Sequence, residues 1–280
     1  MATSRTIRCQ TLPARAQAPG SGAPGDGLRG TLSVVSIETP EELQRLRASG
    51  RVVAEALRAM RRAVRPGVTT GELDAIAARI FRRAGARSAP QLTYGFPGAT
   101  CISVNDEAVH GIPGPRRLRE GDLVKLDVSA ELDGFYADAC VSVGVGRPRP
   151  ATNRLAGAAR HALAQALRVA RAGAPQSVIG ETIEREAGAR GYAVCAELMG
   201  HGIGRRLHEA PDVPSFHAPE LTEALTDGLV LTIEPIVTTG SGAVRQGRDG
   251  WTVCTADGAP SAHEEHTIVI TDGAPLVLTA

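Results

Sequence analysis

Aromatic residues make up only 3% of this 280-residue chain, with a single tryptophan among them. Lysine is almost missing: Lys125 is the one lysine among 31 basic residues. Arginine and alanine dominate instead, a balance that reflects a GC-rich genome rather than a function. An excess of one charge sign is lacking too. The 31 basic and 30 acidic residues leave a formal net charge of +1, which gives no electrostatic reason to expect nucleic-acid specificity. No apolar run approaches the roughly 18–20 residues that cross a bilayer, which argues against a membrane partner. The five cysteines (Cys9, Cys101, Cys140, Cys195 and Cys254) form no CxxC pair and are odd in number. That excludes a disulfide framework and a zinc ribbon, and it fits a reducing, cytoplasmic compartment. What is present is 42% hydrophobic and 22% charged material, ample for a folded core.

Residues 1–35 are rich in Ala, Pro, Gly and Arg without periodicity, and read as a disordered leader. No acidic residue precedes Asp26, as in a transit peptide, but genome bias writes the same text. Folding signals start near Ser36 and define one domain over 36–280. Thr39-Pro40-Glu41-Glu42 reads as a capping box that opens a helix through about Val64. Thr69 or Thr70 caps a second helix that ends near Gly85. Strand signals follow at Thr100 to Val104, Leu123 to Ala130 and Phe135 to Val145. The plan then repeats, with helices over Ala151 to Ala172 and Ile179 to Ala189. Matching residues recur at a nearly constant spacing of 107–110: Ala56-Leu57-Arg58 with Ala166-Leu167-Arg168, Gly71-Glu72 with Gly180-Glu181, and Asp127 with Glu234. This order points to a duplication into halves of about 36–148 and 149–280, with a site between them.

The chemistry concentrates at a few positions. Asp127 lies in the strand Leu123 to Ala130, and Asp133-Gly134 is a hairpin signal that turns the chain back through Asp138. If Leu132 pairs with Phe135, Ser129 opposes Asp138 and Asp127 lies diagonal to it. A longer loop would set Asp127 directly opposite Asp138. In either register the two carboxylates share a face, where they repel unless a cation joins them or the face is solvated. Glu234 ends a nearly all-apolar strand, and Glu264 or Glu265 precedes another. His201 stands between glycines in Gly200-His201-Gly202, which lets backbone pass close to a site. His208 follows, and His110 has a similar setting. Four carboxylates match the charge of two divalent cations. One imidazole among oxygen donors suits Mn, Fe, Co or Zn.

From about Ser36 to Leu278 the chain resembles type I methionine aminopeptidases. The motifs are Cys101-Ile102-Ser103-Val104-Asn105, Val109-His110-Gly111-Ile112-Pro113, Asp127 through Asp138, Gly200-His201-Gly202-Ile203-Gly204 with His208-Glu209, Thr232-Ile233-Glu234-Pro235, Asp249-Gly250-Trp251-Thr252 and Glu265-His266-Thr267. The resemblance implies the pita-bread fold, an α+β architecture. Its halves are related by a pseudo-two-fold, around a curved antiparallel sheet flanked by four helices. It implies two divalent metal ions held by Asp127, Asp138, His201, Glu234 and Glu265. Catalytic roles fall to Glu234 as base, His208 at the scissile carbonyl and His110 near the first peptide nitrogen. Thr93, Phe96, Cys101, Leu207 and Trp251, with His110 and His208, would bind substrate. The implied reaction is removal of an N-terminal methionine from nascent proteins and peptides, by attack of a metal-bridging water. The implied substrate has a small second residue, and the enzyme is a monomer. Ribosome contact is not readable. Xaa-Pro peptidases share the fold and ligands, but Glu234-Pro235-Ile236 and Glu265-His266-Thr267 depart from their pattern. A non-catalytic relative would have lost ligands. This chain departs from its own family's usual residues at Thr93, Leu198, Arg206, Leu207, His263 and Glu264. Thr93 and Leu207 would widen the pocket. Arg206 and Glu264 fall near the mouth, where they either pair with each other or meet substrate.

Overall fold

The first helix, α1 (Pro40–Ala63), starts where its cap dictates: Thr39 Oγ1 accepts from Glu42 N at 3.2 Å, with Pro40 in the first turn. The return arm of the expected box is displaced by one residue, since the Glu42 carboxylate accepts from Glu38 N at 2.9 Å. In α2 (Thr70–Ala84) the box is complete: Thr69 N donates to Glu72 Oε2 at 2.7 Å and Glu72 N to Thr69 Oγ1 at 3.1 Å. Gly85, at φ 70°, ends that helix in the left-handed region. The computed structural model describes residues 37–147 and 149–280; the expected leader lies outside the described residues.

After α2 come β1 (Arg87–Ser88), α3 (Ala89–Tyr94), β2 (Cys101–Val104), β3 (Glu107–Val109), β4 (Leu123–Leu132) and β5 (Phe135–Gly144). The second half runs α4 (Pro150–Val169), α5 (Ser177–Gly188), β6 (Ala193–Val194), β7 (Gly200–Gly202), β8 (Glu209–Val213), β9 (Val230–Ile233) and β10 (Ile236–Thr238). It closes with β11 (Val244–Gln246), β12 (Val253–Thr255), β13 (Ser261–His263), β14 (His266–Val269) and β15 (Leu276–Val277). The four expected helices are present. The short α3 is an addition: six residues are too few to show a helical period, and Ser88 caps it through its hydroxyl.

All strand ladders are antiparallel. They divide the expected single curved sheet into four. One sheet has β4 at its centre between β2 and β5, and β1 also pairs with β4. The other large sheet runs β15-β14-β9-β7-β8, and two three-stranded sheets run β13-β10-β6 and β11-β12-β3. The two large sheets join through single bonds instead of a ladder. Glu265 N donates to Cys140 O at 2.9 Å, Asp138 N to Thr267 Oγ1 at 2.8 Å, and Thr267 Oγ1 to Asp138 O at 2.7 Å.

Each half has its own core. Val53 and Met60 of α1 and Leu73 of α2 pack on Val124, Leu126 and Val128 of β4. Leu163 of α4 and Ile179 and Ile183 of α5 pack on Leu231, Ile233 and Ile268 of β9 and β14. A third cluster joins the halves, bringing Leu46 of α1 against Val230, Val269 and Leu278. Burying each such side chain contributes about 1.5–3 kcal/mol. No helix among the described residues is long and apolar enough to cross a membrane.

Gly50 shows how closely α1 meets the C-terminal segment. A Cβ there would stand 2.4 Å from the Leu278 carbonyl oxygen. The helix tolerates a poor helix former in its middle because that approach needs one. Gly50→Ala should therefore destabilise the chain by about 1–3 kcal/mol through overpacking, although alanine is the better helix former. Urea unfolding of the two proteins measures it, and a gain in stability would refute the packing account.

Candidate metal centre

The hairpin register places the first two carboxylates. Leu132 pairs with Phe135, Ser129 with Asp138, and Asp127 with Cys140 on one side and Cys101 on the other. This is the tighter of the two registers considered from sequence, made possible by Asp133 (φ 50°) and Gly134 (φ 84°) at the turn. Asp127 and Asp138 therefore lie diagonally on one face. Asp127 Oδ1 and Asp138 Oδ1 are both buried without a hydrogen-bond partner. The thiols flanking Asp127 do not compete as donors, because burial pushes Cys101 and Cys140 well above the usual thiol range.

The other sheet supplies the rest. His201 sits on β7, squeezed between β8 and β9. A Cβ at Gly200 would meet Thr232 O at 2.6 Å, and one at Gly202 would meet Ala210 O at 2.1 Å. The flanking glycines thus serve the approach of neighbouring strands, where the motif was expected to let backbone pass close to a site. His201 Nδ1 donates to Gly202 O at 2.9 Å, which leaves Nε2 with its lone pair toward Glu234 Oε1, 3.7 Å away. That gap is too long for a hydrogen bond, and it suits two donors sharing one ion at about 2.0–2.2 Å from each. Thr232 Oγ1 donates to Glu234 Oε1 at 3.1 Å and accepts from His201 N at 3.0 Å, so one hydroxyl aligns both groups. Asp138, His201 and Glu265 each bring a ligand atom to within 4.8 Å of the others, and all three are buried.

The electrostatics agree with a cation site. Burial, with the neighbouring carboxylates, drives Asp127, Glu234 and Glu265 well above the usual carboxyl range. Asp138 rises to about 6 through burial. Four acids drawn together in a largely buried site favour shared protons or bound cations over free charge. The orphaned Asp oxygens, the aligned carboxylate of Glu234 and the fixed tautomer of His201 are the donor set that divalent metal ions need.

All five expected ligands, with His110 and His208, line one cavity, walled by Val109, Leu198, Met199 and Ile236. The remaining expected substrate residues lie outside that lining. Phe96 and Trp251 meet edge to face at 5.2 Å, and Cys101 is the cross-strand partner of Asp127. Leu207 packs with Leu46, Phe135 and Ile203, and Thr93 is exposed and hydrogen-bonds Tyr136.

Two residues at the site carry more than their sequence context assigned. The Tyr94 hydroxyl lies 2.5 Å from His208 Nδ1, and the His208 and His201 rings are 4.1 Å apart. His263, noted from sequence only as a departure, is buried in the cavity wall. Its Nε2 lies 3.6 Å from Glu234 Oε2 and 3.8 Å from Glu265 Oε2. Its two-residue step from Glu265 was the available signal, since a period of two puts both on one face.

Arg206 and Glu264 do not pair. Arg206 is exposed, whereas Glu264 is buried against α4, 3.0 Å from Arg160 Nη1, and also accepts from Ser142 N at 3.3 Å. Burial lifts the Glu264 carboxyl to about 7 despite Arg160, whose guanidinium is half exposed. The folded chain therefore holds this proton more tightly than the unfolded chain. The stability it contributes is full below the usual glutamate range and is lost as pH rises through about 7. Glu264→Gln stays neutral, so its thermal midpoint should exceed that of the parent by roughly 2–4 °C near pH 8 and match it near pH 4. Melting curves of chelated protein at both pH values decide this. An equal difference at the two would contradict the burial account.

The sequence profile of metallopeptidase family M24 matches residues 44–272. Methionine aminopeptidase 2 of Bacillus subtilis is 41% identical over 245 residues, covering 87% of this chain and 98% of that protein. The crystal structure of methionine aminopeptidase from Thermotoga maritima superposes with a TM-score of 0.84 at 36% identity, over 87% of this chain and 98% of that one. The prolidase of Pyrococcus furiosus shares the fold alone, with a TM-score of 0.70 at 21% identity over 87% of this chain and 65% of that one. A profile that spans the helices and strands of both halves, over a pita-bread scaffold whose buried acids and imidazole converge, places this chain in metallopeptidase family M24.

Proposed function

We propose that this chain is a methionine aminopeptidase that removes the N-terminal methionine from peptides and nascent polypeptides whose second residue is small. The observation that carries the reading is the convergence of Asp127, Asp138, His201, Glu234 and Glu265 on one buried cavity, in a chain 41% identical to a methionine aminopeptidase. Two divalent ions of the Mn, Fe, Co or Zn class would be held by these five side chains, and would supply Lewis acidity to the scissile carbonyl and the attacking water. The reading includes a cytoplasmic monomer, in keeping with its buried free thiols at Cys101, Cys140, Cys195 and Cys254.

The protein's own groups do the rest. Glu234, held by the Thr232 hydroxyl, takes the proton from water and passes it to the leaving amine. His208 is kept neutral by burial, which lowers it to about 2. With the Tyr94 hydroxyl donating to its Nδ1, His208 carries its proton on Nε2, ready to donate to the carbonyl oxygen as charge develops there. His110 is likewise held neutral, at about 4, by burial, and suits orientation of the first peptide nitrogen. Leu198, Met199, Ile236 and Val109 give the cavity an apolar wall suited to a thioether. Phe96 and Trp251 are proposed to extend that wall, with Cys101, Thr93 and Leu207 at its margins.

Chelator-stripped protein should cleave Met-Ala-Ser once Mn, Co, Fe or Zn is restored, and should leave Leu-Ala-Ser and Ala-Pro-Ala intact. Preferential cleavage of Ala-Pro-Ala would keep the metal centre and replace the substrate with an imino peptide. Asp138→Ala should reduce turnover to background while the far-ultraviolet circular dichroism stays unchanged; undiminished turnover would overturn the ligand assignment. Tyr94→Phe should lower kcat roughly tenfold, about 1.4 kcal/mol of lost His208 orientation, with KM little changed. A change confined to KM would count against the tautomer role.

A further inference from the structure

Behind the metal-ligand cluster lies a buried cation that the reaction does not use. Lys125 is the chain's one lysine, and it is 1% exposed. It stands two residues before Asp127 on β4 and so shares its face. No ion pair within 4.0 Å among the described residues includes its ammonium, and Glu107 and Asp106 act on it only from farther away. Its three hydrogen-bond acceptors are Asn105 O at 2.7 Å, Ser261 O at 3.2 Å and Ser261 Oγ at 3.4 Å.

The two acceptor residues come from opposite halves of the chain. Asn105 adopts the left-handed region at φ 59°, between β2 and β3. Its amide side chain donates to Asp122 Oδ1 at 3.0 Å and accepts from Leu123 N at 2.9 Å, which fixes its carbonyl. That carbonyl also accepts from Ser261 N at 3.0 Å and from Ser261 Oγ at 3.3 Å. Ser261 opens β13, which ends at His263, two residues before Glu265, and pairs with β10, the strand that follows Glu234. The strand β3 beyond Asn105 leads directly into His110.

We propose that the Lys125 ammonium is a positioning group, a tethered cation whose bonds to Asn105 and Ser261 hold the segments bearing Asp127, His110 and Glu265 in register across the two halves. The chemistry of the cradle calls for an ammonium. Two carbonyls and a hydroxyl converge with their negative ends inward, and only a group with three N–H donors satisfies all of them from one point. Amide or hydroxyl side chains offer fewer donors, and a guanidinium spreads its donors over a plane. Losing the ammonium takes the side-chain donor from the buried Ser261 carbonyl and one of three donors from the Asn105 carbonyl, and loosens the join on which ligand spacing depends.

The inference rests on the metallopeptidase reading, and metal binding tests it without reference to substrate. Full-length wild-type, Lys125→Ala and Lys125→Met proteins would be stripped with chelator and titrated with Co or Mn by calorimetry. The visible absorption of the Co forms would be recorded alongside. Both variants should bind the first ion roughly 10–100-fold more weakly, with an altered Co spectrum. Methylammonium should restore part of the affinity and the spectrum of Lys125→Ala, and tetramethylammonium, which has no N–H, should not. Lys125→Met with wild-type affinity and spectrum would overturn the proposal, as would equal effects of the two ammonium ions on Lys125→Ala. If neither variant folds, Ser261→Ala keeps the ammonium and removes one acceptor. It should weaken metal binding severalfold, and wild-type affinity there would overturn the proposal. A wild-type protein that takes up no metal would instead defeat the functional reading itself.

Discussion

Four carboxylates share one cavity, and the structure around them is arranged to make that tolerable. Asp127, Asp138, Glu234 and Glu265 come from both large sheets, and burial drives every one of them toward the protonated form. Like charges this close, away from water, require protons or cations between them. The sheets are held edge to edge at that place by Thr267 and by the Glu265–Cys140 backbone bond, so relaxing the repulsion by separation would break the join between the halves. Divalent ions held there would reverse the sign of the interaction, and the same carboxylates would then draw the halves together.

His201 and His208, which line the same cavity, show how hydrogen-bond partners can fit one residue type to two jobs. His201 donates from Nδ1 to a backbone carbonyl, and its other nitrogen keeps a lone pair for an ion. His208 has the Tyr94 hydroxyl at Nδ1, and in the proposed function that hydroxyl donates and leaves Nε2 as the donor. Their rings lie 4.1 Å apart, yet different hydrogen-bond partners fit one to the proposed ligand role and the other to the proposed oxyanion role. Burial keeps both neutral, His201 at about 4 and His208 at about 2, which both roles require.

Much of this was legible in the sequence where the interactions are local. Thr69 and Glu72 cap α2 because they lie three residues apart, and the Asp133-Gly134 turn set the parity that puts Asp127 and Asp138 on one face. Gly200 and Gly202 were expected to let backbone pass close to a site, and the structure uses them for close strand contacts at β8 and β9. The short α3 had no period to show. The division into four sheets was hidden too, because β5 and β14 meet through a threonine hydroxyl and one backbone bond, which leave no strand signal. His263 entered the site only as an odd residue in a motif, and Tyr94 not at all, since its partner lies 114 residues away.

The sequence by itself determined the starts of α1 and α2, the shared face of Asp127 and Asp138 and the types of side chain that could hold a metal, while the register of their hairpin was left to the fold. Caps act within about four residues and strand faces repeat every second residue, so both are written along the chain. The tertiary structure alone decided partners and protonation. Glu264 meets Arg160, 104 residues away, not Arg206, and Lys125 meets Ser261, 136 residues away. The neutrality of His208 follows from how much protein covers it. Desolvation and long-range pairing depend on what the fold brings alongside a group, and no local pattern encodes that.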